Sequence, residues 1–546
     1  MIKPFKAKTS PIISRIEIQD LLSQARALVN SDKLGQAISV YRLVLEQDPR
    51  CLEALHVCGS LEFHFQNYAN AYSLLLNAVA IHPKNFQLQL LLGKCAKNLK
   101  KYQEAESFLK QSILIDPKSV EAFVETGLLY FLNGELNTAI EYFEGALKID
   151  PNSYDACTNL GVVLKEMGDF YGAHQKYSHA ILLDSNNPNA FANRGVLLHM
   201  LGQFEDALVD LDRAIELSPN LATSHVSRGQ LLLTLGAYEL GWNEFEWRWQ
   251  YLRENQLNTS RYHDYPLWSG RESLVGKTIL LYAEQGLGDS LQFSRYVSLV
   301  AQLGGKVIFE CEPPLYELFK SLEGVAHLIM QGEIVPSFDF QCPLMSLPRV
   351  FRTTLDSIPV NGPYLYADPI KIEGWRMRLG PKSRPRVGLV WSGGFRPGQP
   401  ELWSVNKRRN LPLISLKSLS NMPIDFISLQ KGAQAEAELE KLVADNWEGP
   451  IIANHVNDLN DFSDTAALIA NLDLVISVDT STAHLCAALG RPTWILNRYD
   501  TCWRWLLERA DSPWYPSVKL YRQQALGQWD YVIEQIKADL WQLYCK

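Results

Sequence analysis

Two patterns of hydrophobic and polar residues divide this chain. Over roughly the first 250 residues, apolar positions follow helical spacing and small residues return at a fixed period of 34 residues. From Gly276 onward, short β-branched apolar runs alternate with helical patterns, and glycine or short polar residues follow several of the runs. The first pattern predicts a helical repeat array, and the second predicts an α/β region with parallel sheets.

Three ladders of residues, each advancing by 34 positions, define the repeat. They are Pro49, Pro83, Pro117, Pro151, Ser185 and Pro219; Gly59, Gly93, Gly127, Gly161, Gly195 and Gly229; and Ala37, Ala71, Ala105, Ala139, Ala173 and Ala207, continued by Gly241. Small residues let two helices approach closely, and a proline marks the turn to the next unit. The period resembles the tetratricopeptide repeat (TPR), with six full units from about Glu17 to Asn220 and a degenerate seventh through Leu221–Tyr251.

Stacked units of this kind form a superhelix whose concave face binds an extended peptide or protein. Two residues before each ladder glycine the first helix is expected to face that groove, which places Asn159 and Asn193 there. Their amides can bond the backbone of a ligand without reading its sequence. The alternative, that they only bond neighbouring repeats, stays open. The array therefore predicts that the chain binds a protein or peptide, and it does not identify that partner.

Bulk composition excludes several other classes. The chain has 546 residues, a net charge of −8 and nine cysteines that never fall in CxxC spacing. This charge gives no electrostatic reason to expect nucleic acid or an anionic membrane surface, and no apolar run approaches the roughly 20 residues of a membrane span. The scattered cysteines favour reduced thiols over disulfides or zinc. We therefore expect a cytoplasmic protein.

Nine strands are predicted in the α/β region. They are Lys277–Ala283, Lys306–Cys311, Ala326–Met330, Phe338–Cys342, Arg386–Trp391, Ile424–Leu429, Pro450–Asn454, Leu474–Val478 and Thr493–Leu496. They form two Rossmann-like halves with a ligand cleft at the carboxyl ends of their strands. The expected domains are the array (17–254), a strap (255–275), a first half (276–380), a second half (381–525) and a C-terminal helix (526–546).

Trp242, Trp247 and Trp249 lie at helical spacing just before the strap. Aromatic residues this dense either stack on a sugar or bury against a neighbouring domain. We interpret them as part of a capping helix that closes the array onto the α/β region.

One strand-to-helix turn carries the strongest chemical signal. The strand Leu474–Val478 leads into Asp479, Thr480 and Ser481 and then into a helical pattern of small residues. The free N–H groups and positive dipole end of a helix invite an anion, most often a phosphate. The alternative is that the three polar residues only cap the helix. Turns that permit close backbone approach to a ligand follow three other strands, at Gly286 and Gly288, at Ser392 and Gly393, and at Gln430 and Lys431.

Four motifs and a tail block in this region can be matched to a known family. They are GLGDSLQF (286–293), VGLVWSGG (387–394), SLQKG (428–432), VISVDTSTAHLCAALGRP (475–492) and the block 503–523. Residues 276–525 resemble a GT-B glycosyltransferase of the heptosyltransferase type (glycosyltransferase family 9), and the whole chain resembles bacterial TPR–glycosyltransferase proteins. The implied fold is a TPR α-solenoid followed by two Rossmann-like α/β halves.

The resemblance implies a nucleotide-sugar donor held mainly by the second half. Its diphosphate is expected at the helix start after Asp479, with His484 donating to a phosphate oxygen. Asp479 itself, being anionic, is expected to face sugar hydroxyls or loop amides. Lys431 and one of the adjacent basic residues Lys407, Arg408 and Arg409, preferably Arg409, are expected to neutralise the leaving diphosphate.

The same resemblance implies that Asp289 is the catalytic base of an inverting transfer, with Glu284 as the second choice. The alternative for Asp289 is a helix cap. The only Asp-x-Asp spacing, Asp210–Asp212, falls in a predicted TPR helix, so neither a metal nor a cofactor is implied and the nucleotide sugar is a substrate.

Three functional hypotheses follow. The first is a glycosyltransferase that modifies a protein acceptor recruited by the array, flagellin or another surface protein being the kind the resemblance implies. The second is a TPR scaffold with a catalytically inactive GT-B domain. The third keeps the transfer but changes the acceptor to a lipid-linked or polysaccharide glycan.

Overall fold

The structure, a computed structural model, describes residues 15–255, 261–359, 362–394 and 403–545. It separates into two compact units, Met1–Asn186 and Asn187–Lys546. Within the described residues, no helix combines the length and the apolar character needed to cross a membrane.

The predicted array consists of helix pairs followed by one short helix. The pairs are α1 (Arg15–Asn30) and α2 (Leu34–Gln47), α3 (Leu52–His64) and α4 (Tyr68–Ile81), α5 (Phe86–Asn98) and α6 (Tyr102–Ile115), α7 (Val120–Leu132) and α8 (Leu136–Ile149), α9 (Tyr154–Met167) and α10 (Phe170–Leu183), α11 (Pro188–Met200) and α12 (Phe204–Leu217), and α13 (Ala222–Thr234) and α14 (Tyr238–Phe245); α15 is Arg248–Glu254. Helices α1–α10 belong to the first unit and α11–α15 to the second.

The ladder residues lie where the paired helices touch. A Cβ added to any ladder glycine would lie 2.6–2.9 Å from the residue sixteen positions later, on the second helix of the pair, as for Gly161 against the Tyr177 ring. The alanines of the third ladder are fully buried. Larger side chains would separate the helices, which explains the period and confirms the predicted repeats.

Two parallel sheets follow the array. The first contains β1 (Thr278–Tyr282), β2 (Lys306–Cys311), β3 (Val325–Met330) and β4 (Phe340–Pro343) in the order β3-β2-β1-β4. The second contains β5 (Arg386–Val390), β6 (Asp425–Ser428), β7 (Ile452–Asn454), β8 (Leu474–Val478), β9 (Thr493–Asn497) and β10 (Val518–Arg522) in the order β10-β9-β8-β5-β6-β7. The nine predicted strands are confirmed, and β10 is an additional edge strand inside the tail block.

Helices connect and cover the strands. They are α16 (Leu287–Phe293), α17 (Val297–Gln302), α18 (Tyr316–Phe319), α19 (Leu347–Val350), α20 (Pro369–Leu379), α21 (Trp403–Arg409), α22 (Ala433–Ala444), α23 (Phe462–Ile469), α24 (Ser481–Ala488) and α25 (Trp529–Tyr544). The last helix, α25, buries Val532 and Ile536 in the core of the second sheet.

The last repeat shares its core with the α/β region. Tyr238 and Trp242 of α14 are buried in one apolar cluster with residues of both sheets. The Trp242 indole donates to the Thr353 carbonyl at 3.0 Å, and the Trp514 indole donates to the Tyr238 hydroxyl at 3.1 Å. The capping interpretation of Trp242 is thereby confirmed. The second compact unit begins at Asn187, so it contains the last repeats as well as both sheets.

Candidate functional site

The strand order of the second sheet creates a crevice between β5 and β8. The chain runs outward from β5 through β6 to β7 and then returns to the other side of β5 with β8. Loops after these two strands diverge, and open α/β sheets bind ligands between them. Ser392 and Gly393 follow β5, and Asp479–Ser481 follows β8. The structure therefore places two predicted turns at one edge of the sheet.

Within the described part of the chain, no side chain caps the N terminus of α24. Its N-cap residue is Thr480, whose hydroxyl instead pairs with the Ser477 hydroxyl at 3.0 Å. The alternative that Asp479, Thr480 and Ser481 only cap the helix is therefore wrong. The positive end of α24 remains available to an anionic ligand.

Gln430 joins the ends of two strands and does not face a ligand. It is only 2% exposed, and its oxygen accepts from the backbone N–H groups of Trp391 at 3.0 Å and Ser392 at 2.9 Å. Its amide nitrogen donates to the carbonyls of Ser392 and Lys431. With both ends of the amide used, the expectation that Gln430 binds the sugar donor is wrong: it positions the β5 turn. The adjacent Lys431 side chain is exposed.

Arg408 and Arg409, two residues of the basic cluster, have different surroundings. Arg408 and Arg498 share the carboxylate of Asp500, at 3.0 and 2.7 Å. The Arg409 guanidinium instead lies so close to Gly393 that an added Cβ there would overlap it. This places Arg409 beside the β5 turn, and its role in neutralising a diphosphate stays a prediction. By sequence the stretch 395–405 looks like an insertion, and residues 395–402 of it lie outside the described residues.

Asp289 is held by two partners at the start of α16. Its Oδ2 accepts from the backbone N–H of Gly286 at 2.9 Å, and its Oδ1 pairs with Arg504 of the second half. The N–H contact makes Asp289 part of the helix cap, so the cap interpretation is correct for one oxygen. The Arg504 pair was not predicted, and it occupies the other oxygen of the candidate base.

Gly288 permits the first half to touch the second. A Cβ on Gly288 would lie 3.0 Å from the His484 ring carbon Cδ2, so the turns that open α16 and α24 pack directly together. The His484 Nδ1 pairs with the Tyr515 hydroxyl at 2.9 Å, and the ring stacks on Trp505. Burial lowers the pKa of His484 to about 3. His484 is therefore a neutral packing residue between the halves, and its predicted role as a phosphate donor stays a prediction.

We expect acid to destabilise the second unit through His484. Because burial lowers its pKa from 6.5 to about 3, the unfolded chain binds a proton that the folded chain does not. This stabilisation is complete above pH 6.5 and is lost as the pH falls toward 3. Between pH 7.5 and 5 the free energy of unfolding should fall by about 2 kcal/mol from this group.

Urea unfolding of the wild type and His484→Gln at both pH values measures this effect. The variant should lose about 2 kcal/mol less than the wild type, since its amide does not titrate. Equal losses in the two proteins would contradict the assignment. Burial also lowers the pKa of His199, to about 4. His199 therefore contributes to the fall in unfolding free energy that remains in the variant.

The second-choice base, Glu284, belongs to a buried ion-pair network. Its two carboxylate oxygens accept hydrogen bonds from Nη2 and Nε of Arg248 in α15, at 2.8 and 2.9 Å. Arg248 also pairs with Glu246 at 2.6 Å and donates to the Ser346 hydroxyl at 2.8 Å. Glu284 and Ser346 follow β1 and β4, the strands that flank the crevice of the first sheet. The interpretation of Glu284 as a base is therefore wrong, because the array fills this crevice with Arg248.

A cavity of about 550 Å³ lies beside this network. Trp249 and Arg253 of α15 form one wall, and Tyr282 and Pro343, at the ends of β1 and β4, form another; Tyr265 of the strap adds an aromatic face. The cavity is thus built jointly by the end of the array and the first sheet.

The two predicted groove residues, Asn159 and Asn193, lie on α9 and α11. The Asn159 amide donates to the Asp155 carbonyl one turn earlier, at 2.9 Å. Asn193, in the second compact unit, is partly buried. Their predicted role in an acceptor groove stays a prediction.

The Asp-x-Asp pair does lie in a TPR helix, α12, where Asp210 and Asp212 pair with Arg194 and Arg228. Among the described residues, no group of three or more His, Cys, Asp or Glu side chains is placed to hold a metal ion.

Sequence reasoning missed Arg504 and Arg248. Arg504 falls in the tail block, which was matched to the family as a whole, and Arg248 in the tryptophan-rich helix, which was interpreted from its aromatic residues. In both segments an arginine stands between tryptophans, which are expected to be buried. This pattern was a signal available in the sequence, because a buried charge requires a partner.

Family models match both parts of the chain. Residues 427–505 match glycosyltransferase family 9 (heptosyltransferase). Tetratricopeptide-repeat models match residues 22–86, 63–123, 127–168 and 188–221. The family 9 match includes the β8 turn, α24 and Arg504.

Comparison with curated proteins and solved structures finds partial likenesses. Protein FlbA of Caulobacter vibrioides is 29% identical over 300 residues, which are 50% of this chain and 48% of FlbA, so the match spans about half of that protein. A tetratricopeptide repeat protein from Parabacteroides merdae overlaps 45% of this chain and 94% of its own, with 17% identity and a TM-score of 0.39. MamA from Desulfovibrio magneticus overlaps 31% and 95%, with 17% identity and a TM-score of 0.30.

Proposed function

We propose that this chain, which joins tetratricopeptide repeats to a glycosyltransferase family 9 region, transfers a sugar from a nucleotide donor to a protein acceptor. The second sheet holds the donor, the first sheet faces the acceptor, and the repeats recruit it. The transfer is inverting and independent of a metal ion, with basic side chains compensating the leaving diphosphate.

One observation carries this proposal: the uncapped N terminus of α24 at the crevice between β5 and β8. It offers backbone N–H groups and a positive dipole end to a diphosphate, inside the stretch that matches the family model. Arg409 and Gly393 border the same crevice from the β5 side. A cation and a close backbone approach are what a bound diphosphate requires.

The cavity between α15 and the first sheet supports an acceptor that comes from the array. Trp249 and Tyr282 present aromatic surface there, and Arg253 adds a cation. A segment bound by the last repeats would reach the first sheet without crossing open solvent. This continuity favours a protein acceptor over a free glycan.

A two-step experiment tests the proposal. Thermal unfolding of the full chain is followed with UDP-, GDP-, ADP- and CMP-sugars, and one donor should raise the melting temperature. The labelled form of that donor is then incubated with protein and lipid fractions of the host cell, and the label should enter protein. Stabilisation by none of the donors supports the inactive scaffold, and label in lipid or polysaccharide supports a glycan acceptor. Trp249→Ala should reduce transfer while leaving donor stabilisation unchanged.

A further inference from the structure

Arg504 is the cation that connects the two halves at the candidate site. It follows β9, and its Nε donates to the Gln292 side chain of α16 at 2.6 Å while its Nη2 pairs with Asp289. Its side chain is only 11% exposed. Burial opposes the charge of Arg504, but the carboxylates of Asp289 and Asp479 together with Cys502 outweigh burial and raise its pKa. The guanidinium is therefore positively charged and lies between carboxylates of opposite halves.

Asp289 has no free oxygen while this pair exists. Oδ2 accepts the Gly286 N–H and Oδ1 is bound to Arg504. Neither oxygen is then open to an acceptor hydroxyl, which a general base must reach within hydrogen-bond distance. Loss of Arg504 alone would free Oδ1 while the Gly286 N–H continued to orient the carboxylate.

A diphosphate at the α24 N terminus would compete with Asp289 for Arg504. The turns that open α16 and α24 touch through Gly288 and His484, so Asp289 and the uncapped helix end are close neighbours. A guanidinium binds phosphate oxygens through two parallel N–H groups, and a diphosphate carries more charge than one carboxylate. Arg504 pairs with Asp289 and interacts electrostatically with Asp479, the residue just before the N-cap of α24.

We propose that Arg504 holds Asp289 inactive in the free protein and turns to the diphosphate when the sugar nucleotide binds, which releases Asp289 as the base. The proposal rests on the proposed function. In the reaction, the acceptor oxygen bonds to the anomeric carbon and its proton passes to Asp289 Oδ1. The bond from that carbon to the phosphate oxygen breaks, and its electron pair leaves with the nucleoside diphosphate beside Arg504. The base is thus available only when a donor is present.

Calorimetric titration of the full chain with UDP, GDP and ADP tests this arrangement. Asp289→Asn removes the competing carboxylate charge, so it should bind the preferred nucleoside diphosphate about five- to thirtyfold more tightly than the wild type. Arg504→Met should bind it at least about tenfold more weakly, and Arg504→Lys should fall between. In the double variant Asp289→Asn/Arg504→Met, the gain in affinity that Asp289→Asn produces alone should vanish, because no cation remains to be released.

The exposed pair Arg509–Asp511 in the same tail block, at 2.7 Å, provides the matched control. Asp511→Asn should leave the affinity unchanged. If folded Asp289→Asn binds as the wild type or more weakly, the pair is structural and the proposed release is overturned, although donor binding by the wild type still supports the proposed function. If the wild type binds no nucleoside diphosphate and no sugar nucleotide, both proposals are overturned.

Discussion

Replacing Arg248 by methionine should lower the free energy of unfolding of the second unit by about 3–5 kcal/mol. Arg248 is 2% exposed and neutralises Glu284 and Glu246 inside the joint between α15 and the first sheet. Methionine keeps much of the volume but leaves buried carboxylates without a cation. Such an unpaired charge costs far more than the loss of an ion pair at the surface.

Urea unfolding at pH 8 and at pH 5 measures this effect. Burial raises the pKa of Glu284, and Arg248 is what opposes that rise. Without Arg248 the folded pKa rises further, so the loss should be larger at pH 8, where the buried group must ionise, than at pH 5. Arg349→Met is the control, because Arg349 is largely exposed and its contact with Glu246 is longer, at 3.7 Å. A loss below about 1 kcal/mol for Arg248→Met, as expected for the control, would contradict the network's role.

Ser481→Glu should weaken binding of the sugar nucleotide by at least about a hundredfold. The new carboxylate would stand at the first residue of α24, and repulsion between unit charges about 4 Å apart reaches about 4 kcal/mol near a protein surface. The same substitution should leave stability unchanged or raise it by about 0.3–1 kcal/mol, because an acidic residue favours a helix N terminus. Opposite effects on affinity and stability separate an anion site from an ordinary helix end.

Titration calorimetry and urea unfolding of Ser481→Glu and of the neutral Ser481→Gln provide both measurements. The glutamine variant controls for size and should lose less than about tenfold in affinity. An affinity unchanged by the glutamate would show that no phosphate binds at α24.

Local rules were sufficient wherever a residue's neighbours lie close in sequence. The TPR repeats followed from ladders such as Gly161, because each glycine meets a side chain on the next helix only sixteen residues later. The β8 strand was predicted to the residue, since a short apolar run bounded by polar turns has few other solutions. The β10 strand was missed because its alternating pattern sits at an edge, inside a block dominated by aromatic residues.

The candidate site was predicted only in part. Topology places Ser392, Gly393 and Asp479–Ser481 at the same edge of the sheet, because neighbouring parallel strands end at one edge. The sequence could not show that the side-chain amide of Gln430 bonds backbone groups, or that His484 is buried against Gly288. Each of those outcomes depends on which partner approaches from a distant segment.

The sequence by itself determined the repeats, the two α/β halves and the phosphate-suited turn after β8, because hydrophobic period and turn chemistry act over a few tens of residues at most. Only the tertiary structure decided that Arg248 fills the crevice of the first sheet and that Arg504 holds Asp289. Arg504 and Asp289 are 215 residues apart in the chain. Buried charges require partners, and which partner each one finds is settled only when packing brings the elements together.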